Sequence, residues 1–546
     1  MQVFIKNKKF KNLLLKDGDV INGEKIVGKY KKHSEEILIS WSDSTESTYM
    51  VDGSFLIDIK DLTVNKNKIK TFDIFDTLIA RRCFHPDNIF VAVEKTTKFE
   101  NFFTIRKQAE YNLINKGDYD LYDIYEEFQK ISCINDEKKK SLLNEELNCE
   151  FNNIIPIKEN LDKVGENDII ISDMYLPKDF LEKFLYEKCG LSGNYIYLSS
   201  SDKKSGMVWS KIKNYFDIEC HLGDNAHSDI HMANENGIKG EITYSFHFND
   251  EERFISSLGY EKIALISREM RLAFWEKDDL YKNIYLYQFG KNIPLLIVIS
   301  IKIIALVKER GINNILFSSR DCFFLYKIFN KICEIYNCDL KTEYFYTSRI
   351  CRSMPSEDYI NYCNYIIKDY NTLIVDLCGT GWSLKNLLSS LNKEIPVYFP
   401  LYINSPNVVS EYNKYINNND KDIEIIFSTE TGNNVILESA NSAPFNMCVD
   451  VFEINNKFVP SFNSENNYDK NIEKYFNICI DKYIDKMNFL ERADVEYYIN
   501  LNNDHSIEKL IENINGKYSF IDYLSGHQYV DNSILYNKME KWKKNY

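Results

Sequence analysis

Twice along this chain, short apolar runs end abruptly on polar residues and give way to a helical stretch. "TFDIF", "DIIIS", "YIYLS" and "CHLGD" form the first series, between residues 70 and 245. "INNILFSSRDCFFLYKIFNKI", "TEYFYTSR", "NTLIVDLCGTGWSLKNLLSSL" and "IPVYFPLYI" form the second. Strands alternating with helices in this way pack as a parallel sheet with crossover helices, so the pattern predicts an α/β fold built from two such sheets. At 546 residues the chain exceeds one core, and roughly 150 residues per domain predicts about three or four units.

The expected boundaries follow the composition. Residues 1–66 alternate apolar and polar positions between turn signals, as in "EILISWSD" and "TYMVDGSFLIDI", and read as a small β module of antiparallel strands with a structural or docking role. Residues 67–250 carry the first βα series, interrupted at about 84–160 by a helical insertion containing "FTIRKQAEYNLINKG" and "EKKKSLLNEELNCEF". A helical connector is expected over 251–310, the second βα series over 311–450, and helical or irregular cover over 451–546.

A net charge of −14 argues against a general binder of nucleic acid or anionic membranes, which would carry phosphate-neutralising charge openly. The thirteen cysteines show no Cys-x-x-Cys spacing, and "MQVFIKNKKFKN" has no apolar signal core, so a reducing, cytoplasmic setting is expected. The most apolar run, Ile293 to Val307, contains Lys302 and falls short of the roughly 20 residues of a membrane span. It reads as a buried helix rather than an integral membrane segment.

In a parallel α/β sheet ligands lie beyond the carboxyl ends of the strands, so the polar residues directly after apolar runs are the candidates. In the first series these are Asp73, Ser172, Lys204 in "SSSDKKSG", and Asp224 with Asp229 in "HLGDNAHSD". Each alone is an ordinary turn residue; all four sets in order are not. The set resembles the motifs of the haloacid dehalogenase (HAD) superfamily over residues 70–245, with the insertion where that family carries a type-1 cap. The resemblance implies Asp73 as a nucleophile forming an aspartyl-phosphate, which splits one difficult displacement into two easier ones. It implies Mg²⁺ held by Asp73, the carbonyl of Phe75, and Asp224, with Asp229 direct or through water. Ser172 and Lys204 would stabilise the phosphoryl group. The family's usual second aspartate, the general acid, is replaced here by Phe75. General acid–base help is typically worth about 10²- to 10⁴-fold, so the sequence implies a slow phosphatase, a substituted acid such as Asp76 or His85, or the dehalogenase chemistry of family members that also lack this residue.

In the second series, Asp376 precedes Gly379-Thr380-Gly381-Trp382-Ser383. This resembles the ribose-5-phosphate loop of type I phosphoribosyltransferases, and the resemblance implies Asp376 on the ribose and Thr380, Gly381, Trp382 and Ser383 around the phosphate. Position 375, where that family has a second acid, is Val. Ser318, Ser319, Arg320 and Asp321 occupy the expected pyrophosphate loop, and Arg349 and Arg352 follow the next strand, where arginine forks suit phosphate. Asp321 and Glu438 are the candidate bases for a hydroxyl nucleophile.

The pairing of two Rossmann-like domains of these kinds resembles the two-module ribofuranosyltransferases of bacterial polysaccharide assembly. It implies transfer of 5-phosphoribose from phosphoribosyl pyrophosphate (PRPP) to a glycan hydroxyl, on a lipid-linked acceptor, followed by removal of the 5-phosphate. The competing expectations are a HAD hydrolase with a non-catalytic binding domain, a nucleobase phosphoribosyltransferase, and a non-catalytic scaffold in glycan assembly.

Overall fold

The computed structural model describes residues 68–114, 119–199, 201–213, 216–318, 320–367, 371–404, 423–431, 435–463, 471–501 and 505–514, and the backbone of eight strands between residues 3 and 58. The chain forms two compact units, residues 1–247 with 272–274, and residues 248–271 with 275–546. Both are α/β, each with a parallel sheet at its centre.

The strands near the N-terminus pair antiparallel, apart from Val3–Lys6 with Leu56–Asp58, which run parallel.

The first parallel sheet contains β1 (Lys68–Phe72), β2 (Ile169–Asp173), β3 (Tyr195–Ser199), β4 (Asp217–Gly223) and β5 (Lys239–Ile242), in the order β3-β2-β1-β4-β5. Side chains alternate between faces at period two. Phe72, Ile170 and Leu222 therefore enter one core, and Ile69, Ile169 and Ile171 enter another with Trp209. The insertion between β1 and β2 includes the helices α1 (Asn88–Thr97), α2 (Phe102–Tyr111), α3 (Leu121–Ser132) and α4 (Asp136–Asn153). Short strands Ile79–Arg81 and Ile154–Pro156 pair antiparallel at the way in and out of this insertion. Two buried arginines bind it together: Arg106 grips Glu146 through Nε and Nη2, both at 2.9 Å, and Arg81 grips Glu150 likewise. Such forked pairs satisfy both ions, whereas either partner alone would be an uncompensated buried charge.

The second sheet contains β6 (Asn314–Ser318), β7 (Lys341–Phe345), β8 (Thr372–Val375), β9 (Val397–Ile403) and β10 (Ile425–Thr431), all parallel, in the order β7-β6-β8-β9-β10. Helix α5 (Ile293–Arg310) leads into it, with Pro294 in its first turn and left-handed Gly311 at its end. Twelve of its side chains are buried, including Ile293 to Ile301 without a break, as expected for a helix apolar all round. A π turn at Gln288–Asn292 joins α5 to the preceding helix, so the helical run Asp279–Arg310 is long and apolar enough to cross a membrane by length and composition. The apolar run Ile293 to Val307 thus belongs to a longer helical stretch, and it is a buried helix as expected: the most apolar window is 78% buried.

Candidate functional site

Asp73 follows β1 directly, its backbone N–H bonded to Leu222 O at 2.9 Å, which locks the end of β1 against β4. The next residues turn tightly, with Leu78 and Ile79 N–H both reaching Ile74 O and Asp76 left-handed at φ 58°. Asp224 follows β4, and Asp229 lies on the π turn Ala226–His231. Asn225 caps that turn, its side-chain oxygen accepting from His227 and Ser228 N–H while its own N–H donates to Asp229 Oδ2 at 2.8 Å. A Cβ on Gly223 would lie 2.3 Å from Asp229 Cγ, so glycine at this position makes room for the carboxylate.

Oxygens of Asp73, Asp224 and Asp229 lie within 4.8 Å of one another. Buried Lys203 pairs with Asp73 and, at 2.8 Å, with Asp229. This corrects the expectation for Lys204, which is exposed and contributes its backbone N–H to Asp173. The loop is set by Asp173, which accepts from Lys203 N–H at 2.9 Å and Lys204 N–H at 2.8 Å. Sequence reading missed Asp173 because its partners lie thirty residues downstream. Ser172 is buried near the end of β2.

The electrostatics of this cluster are unbalanced. Burial pushes Asp73 up to about 8, with Lys203 opposing and Asp229 and Asp224 reinforcing. Burial, Asp229 and Asp76 push Asp224 up to about 6. Burial also acts to raise Asp229, but its His221 hydrogen bond and Lys203 outweigh this and hold it below the usual carboxylate range. One lysine thus faces three carboxylates, with a proton favoured on Asp73 when no other cation is present. An all-oxygen donor set with surplus negative charge fits a hard divalent cation in place of that proton.

Phe75 does not supply an acid. Its ring meets Phe184 edge-on at 6.2 Å, and the Arg81 guanidinium stacks 4.3 Å from its centre. Asp76 is close enough to Asp224 to raise its pKa and is half-buried. His85 is exposed, its Nδ1 accepting from Asp87 N–H within its own turn.

In the second unit Arg352 is the hub. It lies on the short helix α6 (Arg349–Ser353) after β7. Its Nε donates to Thr347 Oγ1 at 3.0 Å, its Nη1 to Asp376 Oδ2 at 3.2 Å and Ser383 Oγ at 3.3 Å, and its Nη2 to Ser318 Oγ. Burial raises the Asp376 pKa, against Arg352. Asp376 directly follows β8, and the chain then pairs with β9 again through the two-residue strand Cys378–Gly379. Gly381, at φ 72°, starts helix α7 (Trp382–Ser390) under Phe399 and Ile425. Thr380 is half-buried with its Oγ1 accepting from Trp382 N–H at 3.4 Å, and Trp382 is buried. Arg320 is half-buried, Arg349 is exposed, and Ser319 lies outside the described residues. Asp321 and Glu438, far apart in sequence, come within 4.8 Å of one another and of Cys378.

Both clusters thus sit beyond the carboxyl ends of parallel strands, the position where α/β sheets bind ligands. No protein-family model matches the chain, and no curated protein matches its sequence.

Proposed function

We propose that this protein couples two reactions: 5-phosphoribosyl transfer from PRPP to a glycan hydroxyl in the second unit, and removal of the 5-phosphate by an Mg²⁺-dependent, HAD-type phosphatase in the first. The observation that carries the reading is the meeting of Asp73, Asp224, Asp229 and Lys203 at one strand crevice. Asp73, Asp224 and the Phe75 carbonyl would hold Mg²⁺, with Asp229 direct or through water; when bound, the ion neutralises the phosphate so that a carboxylate can approach it.

Asp73 attacks phosphorus and the sugar alkoxide leaves, taking a proton from Asp76; water, giving a proton back to Asp76, then hydrolyses the acyl-phosphate, returning the Asp73 carboxylate and releasing phosphate. Ser172 and Lys203 stabilise the phosphoryl oxygens. In the transferase, the bond from C1 to pyrophosphate breaks as the acceptor oxygen bonds to C1, and the acceptor proton passes to the Asp321–Glu438 pair. Arg352, Ser318, Ser383 and the Thr380–Gly381 turn form the phosphate-facing wall, supplying fork and hydroxyl donors at a helix start. The dephosphorylation makes the sequence irreversible, and a lipid-linked acceptor in the cytoplasm suits both steps.

Incubation with PRPP, Mg²⁺ and a panel of synthetic and lipid-linked glycans tests the proposal by mass. A ribosyl gain is expected in wild type and a phosphoribosyl gain in Asp73→Asn. A second reading, a phosphatase whose C-terminal unit only binds, draws on the Arg352 ion pair that already occupies Asp376. Phosphatase activity on sugar phosphates with no adduct on any acceptor would favour it.

A further inference from the structure

His221 lies in β4, three residues before Asp224, and its side chain is fully buried. The parallel register sets it opposite Thr71 of β1. Its Nδ1 lies 2.9 Å from Thr71 Oγ1 and its Nε2 lies 3.3 Å from Asp229 Oδ1, while the Trp209 ring meets it edge-on at 4.7 Å. An ionised carboxylate only accepts, so Nε2 carries the hydrogen toward Asp229 and Nδ1 accepts the Thr71 hydroxyl. The Cys220 carbonyl, 3.4 Å from the same hydroxyl, is the more distant acceptor. His221 and Lys203 therefore occupy Oδ1 of Asp229, and Asn225 N–H occupies one site on Oδ2. Of about four lone-pair sites on a carboxylate, one remains among the described residues, on Oδ2.

We propose that His221 is a positioning residue for the metal centre: the Thr71–His221–Asp229 chain fixes the Asp229 carboxylate so that its one uncommitted site serves the cation or a cation-bound water. Partners of this kind, behind a ligand rather than on the metal, typically contribute about 10- to 100-fold in affinity. The inference rests on the metal-dependent reading above. Its test is Mn²⁺ affinity, read by the electron paramagnetic resonance of free Mn²⁺ with the full-length protein. His221→Phe keeps the ring volume beside Trp209 but removes both nitrogens, and is expected to weaken Mn²⁺ about 10- to 100-fold. His221→Gln restores an N–H toward Asp229 and is expected to recover most of that loss. Thr71→Val, which changes no ring and little volume, is expected to fall between wild type and His221→Phe. Equal affinity in wild type, His221→Phe and Thr71→Val would overturn the inference, as would equal losses in the Phe and Gln variants. Absence of Mn²⁺ binding by the wild type would instead remove the metal-dependent reading itself.

Discussion

Replacing Lys203 by Met separates the two adjacent lysines and tests the charge balance of the first site. The Lys203 ammonium lies 2.8 Å from Asp229 Oδ1 and also pairs with Asp73. At an effective dielectric constant near 20, one such contact at this distance is worth about 6 kcal/mol before desolvation. Desolvation cancels much of that in the intact pair, but removing one partner leaves the other charge buried alone, at a net loss of about 3–5 kcal/mol. That is a large share of the roughly 5–15 kcal/mol by which a domain is stable. Urea unfolding of Lys203→Met in EDTA should therefore show a much lower midpoint than wild type, and excess Mg²⁺ should restore part of it by supplying the missing positive charge. Hydrolysis of p-nitrophenyl phosphate should fall about 10²- to 10³-fold, the usual loss for one electrostatic stabiliser. Lys204→Met, at an exposed side chain whose backbone N–H keeps Asp173, should stay within about 0.5 kcal/mol and near full activity. Loss of activity in Lys204→Met with Lys203→Met intact, or an unchanged urea midpoint for Lys203→Met in EDTA, would refute the reasoning.

Substitutions at three further positions address single features. Gly223→Ala places a Cβ 2.3 Å from Asp229 Cγ, so calorimetry should show Mg²⁺ affinity reduced more than tenfold and urea unfolding a loss of about 1–3 kcal/mol; wild-type affinity would remove Asp229 from the metal site. Arg352→Lys cannot reproduce a fork shared by Thr347, Asp376, Ser383 and Ser318, and PRPP binding should weaken about tenfold or more. Tighter PRPP binding by Arg352→Ala would instead mean that the arginine blocks Asp376. Phe75→Asp puts a carboxyl where the proposed phosphatase lacks its acid, at the expense of the Phe184 and Arg81 ring contacts, and should raise phosphatase kcat at least tenfold. An unchanged or lower rate would show that Asp76 or another acid already serves.

Three of the first site's carboxylates were legible because each stands beside an apolar strand whose period is local. Asp73 and Asp224 directly follow β1 and β4, and Asp229 shares the turn that Asn225 caps. The choice between Lys203 and Lys204 was not legible. It is made by Asp173, whose carboxylate takes both backbone N–H groups and so turns one side chain inward and the other out. Arg349 and Arg352 pose the same problem on a helix of five residues, too short for a periodic pattern to show which is the less exposed. His221 was hidden for a different reason. It reads as part of an apolar strand, and only the register opposite Thr71 and the π turn carrying Asp229 give its nitrogens partners.

Strand order is the step that local patterns cannot supply. In the sheet β3-β2-β1-β4-β5 the chain moves outward from β1 to β2 and β3, then returns to β4 on the other side of β1. The crevice at such a reversal is where doubly wound sheets bind ligands, and Asp73 and Asp224 flank this one. In β7-β6-β8-β9-β10 the reversal falls between β6 and β8, and Ser318 and Asp376 flank it, bridged by Arg352 from beyond β7. Collecting polar residues after apolar runs yields every strand end alike. The reversal selects among them, and in the second unit it singles out Arg352, which bonds Ser318 at the end of one strand of the crevice and Asp376 after the other.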